Sequence, residues 1–125
     1  MTNDATTRAT DTLDLGHFSI SLAVRDMEAA KAFYDTLGFR RIAGDGKRFV
    51  VLASGTAKIG LFHGMFEGNL ITFNPPDARA IEAAMRAAGY SPDKPTEPGD
   101  GPAHFVIKDP DGNVLLVDQH EATPK

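Results

Sequence analysis

Cysteine is absent from all 125 residues, and so is tryptophan. Without a thiol the chain can form no disulfide and offer no thiolate to a metal. Positive charge is also short. Lys and Arg number 13 against 17 Asp and Glu, a net of −4, which gives no electrostatic reason to hold nucleic acid or an anionic membrane. No apolar run approaches the ~20 residues of a membrane span. The opening stretch Met1–Thr12 is polar and lacks the apolar core of a secretory signal. These absences make a cytoplasmic protein the expectation, with neither nucleic acid nor membrane as partner. What is present is apolar side chain, 42% of the sequence, enough to bury one core.

The stretch Asp26–Phe39 organises the rest. Asp26 can cap a helix start and Gly38 can take the left-handed conformation that ends one. Between them Met27, Ala30, Phe33, Tyr34 and Leu37 recur at three- and four-residue steps, an apolar helical stripe. Before it, Phe18–Val24 alternates large apolar with small residues, the period of a half-buried strand. A shift of 51 positions repeats the unit: Asp26 falls on Asp77, Gly38 on Gly89, Phe39 on Tyr90, Ile20 on Ile71 and Leu22 on Phe73. The second stripe is Ile81, Ala84, Met85 and Ala88. The chain therefore reads as two copies of one βα-led module.

Residues 1–13 are expected to form a disordered tail and 121–125 a C-terminal tail. A single domain fills 14–120, made of modules 14–64 and 65–120. Strands are expected at Gly16–Val24, Phe39–Ala43, Arg48–Ala53 and Ala57–His63, with a helix over 27–37. Asp45-Gly46 reads as a hairpin turn. In the second half, strands are expected at Asn69–Asn74, His104–Lys108 and Asn113–Gln119, with a helix over 78–88. The Pro- and Gly-rich stretch Ser91–Pro102 reads as a surface loop holding at most a short edge strand near its start. The fold class is α+β, β-α-β-β-β twice, with mixed sheets around a cleft. Asp109-Pro110-Asp111-Gly112-Asn113 lacks the ligand spacing of a calcium loop and reads as a structural turn. Gly64–Gly68 connects the modules.

Parity along the strands divides their side chains between two faces. If Phe18, Ile20, Leu22 and Val24 pack under the first helix, Ser19, Ser21 and Ala23 face the other way. The same rule puts Leu70, Thr72 and Asn74, Gly60 and Phe62, and Val114, Leu116 and Asp118 on that second face. His104 lies opposite the core-facing Phe105 and Ile107. Ser19, Ser21, Phe62, Thr72, His104, Leu116 and Asp118 are therefore the candidate ligand-binding residues, an apolar site with a few polar groups.

The order Val24-Arg25-Asp26, Ala32-Phe33-Tyr34, Leu37-Gly38-Phe39 and Asp109-Pro110-Asp111-Gly112-Asn113 before an apolar strand resembles the vicinal oxygen chelate superfamily. That group contains glyoxalase I, bleomycin-resistance proteins, fosfomycin-resistance enzymes and extradiol dioxygenases. The resemblance covers about residues 16–120 and implies paired βαβββ modules around a cleft, often in dimers. Its enzymes usually hold a divalent metal with His, Gln or Glu from the cleft strands. Counted from the motifs, those positions are Ser19, about Gly60, Leu70 and Leu116. None of the four suits a transition metal, so no metal and no other cofactor is expected. The resemblance thus implies a homodimeric protein that binds a small molecule without the usual ion. Two alternatives stay open: an enzyme, metal-free or with a relocated metal, using His104 and Asp118 in lyase or dioxygenase chemistry, and a dimeric scaffold without ligand.

Overall fold

Both helices begin and end the same way, bond for bond. In the computed structural model, which describes residues 13–122, α1 (Met27–Thr36) starts where the Asp26 carboxylate accepts from the Ala29 amide at 3.0 Å. At α2 (Ala78–Ala87), Asp77 accepts from the Ala80 amide at 3.1 Å. Gly38 and Gly89 then take φ of 102° and 98°, a region open to glycine at no steric cost. After them the Phe39 amide donates to the Tyr34 carbonyl and the Tyr90 amide to the Met85 carbonyl. Each helix is thus closed by the same glycine-dependent turn.

The strands are β1 (His17–Ala23), β2 (Arg40–Gly44), β3 (Phe49–Ser54), β4 (Ala57–Phe62), β5 (Leu70–Asn74), β6 (Ala103–Lys108) and β7 (Val114–Gln119). They form a seven-stranded mixed sheet in the order β2-β3-β4-β1-β5-β7-β6. β1 pairs with β4 in parallel, while β2 with β3, β3 with β4 and β6 with β7 are antiparallel. By its contacts the chain divides into two compact units. Among the described residues one is Phe18–Thr72, and the other joins 13–17 to 73–122.

In the Phe18–Thr72 unit, α1 covers one face of the strands. Met27, Val50, Leu52 and Leu61 are buried there, with Leu22, Val24, Ala30, Tyr34, Phe39 and Ile59 packed around them. The antiparallel register explains the set, since Val50 faces Leu61 and Leu52 faces Ile59 across β3 and β4. Phe18, expected under this helix, is instead 51% exposed at the start of its strand. Phe33 and Leu37 are also 61% exposed. Successive helical residues turn by ~100°, so Tyr34 can point inward only if Phe33 points aside.

The second unit repeats the arrangement. Ala78 and Ile81 of α2 pack on Ala103, Phe105, Ile107 and Val117 of the β6–β7 hairpin. This half has no full counterpart of β2. Among the described residues the expected edge strand is reduced to one bridge, Lys94 with Val106, because Pro92, Pro95 and Pro98 leave few amides to donate. The loop is held from the helix instead: buried Glu82 accepts from the Thr96 amide and hydroxyl, and Arg79 donates to the Glu97 and Gly101 carbonyls. Gln119, 1% exposed, accepts from the Ala78 amide at the start of α2.

Two turns carry carboxyls displaced from their ordinary range. Asp45-Gly46 is no two-residue hairpin. Asp45 caps a longer connection by accepting from the amides of Lys47, Phe49 and Arg48, which together hold its carboxyl down at about 2. Asp109 closes the 109–113 turn by accepting from the Asn113 side chain and from the Asn113 and Asp111 amides, which lowers its carboxyl as well. The expected tails lie largely outside the described residues, at 1–12 and 123–125. Among the described residues no helix is long and apolar enough to cross a membrane.

Candidate functional site

The face of the Phe18–Thr72 unit turned away from α1 is built from the other parity of the same strands. Ser21 stands beside Gly60, and Ala23 beside Phe62, in the parallel β1–β4 register. On β3, Val51 faces Gly60 and Phe49 faces Phe62. Ser19, Ser21 and Thr72 are buried on it, at 7%, 3% and 5% exposure. The Ser21 and Thr72 hydroxyls meet at 2.7 Å, each group the other's partner in a place where an unpaired hydroxyl would be costly.

Gly60 leaves room that an aromatic ring takes. A Cβ at position 60 would lie 2.6 Å from the Phe62 ring, so the ring lies against the bare backbone. Phe62 in turn stacks on Phe49, with ring centres 6.0 Å apart and planes 11° from parallel. Phe62 also meets Phe66 of the connector, with ring centres 5.2 Å apart and planes at 48°. All three rings are only half-buried. Offset stacking favours such an arrangement and leaves ring surface for a further planar group.

Beside the rings the strand ends are pinned. The Val24 amide donates to the Phe62 carbonyl and the His63 amide to the Arg48 carbonyl, both at 2.8 Å. The His63 ring lies with Nδ1 3.1 Å from the Val24 carbonyl. Here opens a hollow of about 540 Å³, lined by Val24, Arg25, His63, Phe66 and Glu67 among others.

In the other unit, His104 faces Asp118 and Val106 faces Leu116 across β6 and β7. These residues occupy the side of the hairpin opposite buried Phe105, Ile107 and Val117. His104 is exposed, and Leu116 and Asp118 are half-buried. The Asp118 carboxylate lies 3.1 Å from His120 Nε2, and the Asn74 amide donates to the Asp118 carbonyl at 2.9 Å. His17, His120, Asn74 and Gln119 help to line a second hollow of about 430 Å³. Among the described residues no three His, Cys, Asp or Glu side chains gather as a metal site requires.

A model of the glyoxalase/bleomycin resistance protein/dioxygenase superfamily matches residues 14–117. The chain belongs to that superfamily.

Solved structures of the superfamily share its fold at low identity. One is a glyoxalase/bleomycin resistance protein/dioxygenase superfamily member from Vibrio splendidus 12B01. It is 18% identical with a TM-score of 0.66 over 82% of this chain and 97% of that one. Methylmalonyl-CoA epimerase from Mycobacterium tuberculosis is 17% identical, TM-score 0.62, over 92% and 93%. The Mn(II)-bound glyoxalase from Novosphingobium aromaticivorans is 19% identical, TM-score 0.57, over 90% of this chain but 42% of that longer one. No curated protein sequence matches the chain.

Of the residues the sequence singles out, Ser19, Ser21, Phe62 and Thr72 share one face of the Phe18–Thr72 unit, and His104, Leu116 and Asp118 share one side of the β6–β7 hairpin. Phe49, Phe66 and His63 were not among them. Alternation along Phe49–Leu52 carries the signal for Phe49, because it has the opposite parity to Val50 and Leu52. Phe66 lies in a connector, where no period applies, and His63, expected at the end of the fourth strand with the parity opposite to Phe62, falls just past β4.

Proposed function

We propose that this superfamily member binds a small planar, apolar molecule on the ring face of its Phe18–Thr72 unit, and does so without a divalent ion. The supporting observation is the half-buried set of Phe49, Phe62 and Phe66, beside a hydroxyl pair already satisfied internally. Aromatic side chains left partly uncovered but mutually ordered offer a ligand stacking surface at little further entropy cost.

The side chains at the superfamily's usual ligand positions do not fit a transition metal. Ser19 is a neutral hydroxyl that is buried, Gly60 has no side chain and lies under the Phe62 ring, and Leu70 and Leu116 are hydrocarbon. Such ions need imidazole or carboxylate from three or four directions. The Mn(II) of the Novosphingobium glyoxalase therefore carries no implication for this chain.

The test is an NMR titration with benzyl alcohol, a neutral aromatic probe. The expected result is movement of the Phe49, Phe62 and Phe66 ring resonances, unchanged by EDTA and lost in Phe62→Ala. Binding that needs added metal, or that survives loss of the Phe62 ring, would overturn the proposal. A homodimer is proposed as the working form, since β2 ends the strand order with an edge that pairs with no further strand among the described residues, and Ile42 on it is 58% exposed.

A further inference from the structure

The hollow beside the rings holds three exposed polar groups of different character, each with bonding capacity left for a ligand. His63 is the best defined. A carbonyl oxygen only accepts, so the contact between Nδ1 and the Val24 carbonyl fixes the ring proton on Nδ1. In the neutral imidazole Nε2 is then left with its lone pair, an acceptor whose ring is held in place from behind. Arg25 and Glu67 line the same hollow and are both exposed. Among the described residues neither has an ion-pair partner. A cation asks for an anionic group, a carboxylate asks for a cationic one, and Nε2 asks for a hydrogen-bond donor. The apolar wall of the hollow is Phe66, which continues through Phe62 to Phe49.

From this geometry we infer that the hollow at the 63–67 connector recognises the head of a small zwitterion whose side chain is aromatic, the chemistry of a free aromatic amino acid. Its carboxylate meets Arg25, its ammonium meets Glu67 and His63 Nε2, and its ring extends the stack at Phe66. A ligand carrying only one charge would leave either Arg25 or Glu67 facing a group it repels or cannot pair. An uncharged aromatic would use the rings alone. The inference rests on the small-molecule reading of the ring face and adds the class of ligand.

The experiment compares four probes on the full chain by calorimetry and NMR: L-phenylalanine, phenylalaninamide, N-acetyl-L-phenylalanine and benzyl alcohol. L-phenylalanine is expected to bind tightest and to move the His63 Nε2 resonance. The amide, which lacks the carboxylate, and the acetyl derivative, which lacks the ammonium, should each bind about tenfold or more weakly, as loss of a charge-assisted hydrogen bond implies. Arg25→Gln should abolish the preference over the amide, and Glu67→Gln the preference over the acetyl derivative. Both positions are exposed, and an unchanged amide spectrum confirms that the variants fold. Benzyl alcohol binding at the rings with no preference for the zwitterion overturns this inference alone. If benzyl alcohol leaves Phe49, Phe62 and Phe66 undisturbed, the ring-face reading fails and the inference fails with it.

Discussion

Ser21 and Thr72 are one position in two copies of a pattern, 51 residues apart, and they meet in a single buried hydrogen bond. Neither hydroxyl has water to fall back on, so removing one strands the other. Thr72→Val is expected to cost about 1–3 kcal/mol, and Ser21→Ala a similar amount. The double change should cost clearly less than the two together, because two apolar groups of the same shape leave nothing unpaired. Urea denaturation of the four proteins measures the coupling. Strict additivity would show that the pair is not a bond in solution. Gly60 makes a related point. Its smallness suggests open space when read alone, yet the Phe62 ring occupies that space. Parity places Phe62 on the correct face, but which neighbour fills a gap is a matter of rotamer and contact.

At the scale of elements, helix boundaries are the most local features and the most readable ones. Asp26 and Asp77 cap, Gly38 and Gly89 terminate, and neither act needs a distant residue. The β2–β3 connection is less local. Asp45 gathers three amides instead of starting a two-residue turn, and those donors are why its carboxyl sits at about 2 and not 3.8. A folded-state value below the unfolded one contributes stability above the unfolded value, and that stability disappears as pH falls through the folded one. The Asp45 contribution should therefore be complete above pH ~4 and be lost between ~4 and ~2. NMR titration of the Asp45 carboxyl, with Asp45→Asn as control, checks this. Titration near 3.8 in the folded protein would show that the three amides do not hold it. The Ser91–Pro102 loop shows the limit of local reading, because its anchors Glu82 and Arg79 belong to a helix that looks ordinary by itself.

For the molecule as a whole, the expected solution form is a homodimer. Sedimentation equilibrium at micromolar concentration should return about twice the chain mass of 13.4 kDa. A monomer would show that the edge of β2 is protected by other means. Taken alone, the sequence determined what depends on short range and on period: the two helices with their caps, seven strand positions, the repeat, and which residues share a strand face. It also excluded disulfides and thiolate metal sites outright, since composition permits no exception. The tertiary structure decided what depends on meeting. It left Phe18 and Phe33 half or more exposed although both belong to apolar patterns, and it reduced one expected edge strand to the Lys94 bridge. It stacked Phe49, Phe62 and Phe66, and it turned His63 so that one ring nitrogen is held by the Val24 carbonyl. Periodicity assigns a side chain to a face, whereas contact between residues far apart in sequence is fixed only when the strands find their register and the side chains their rotamers.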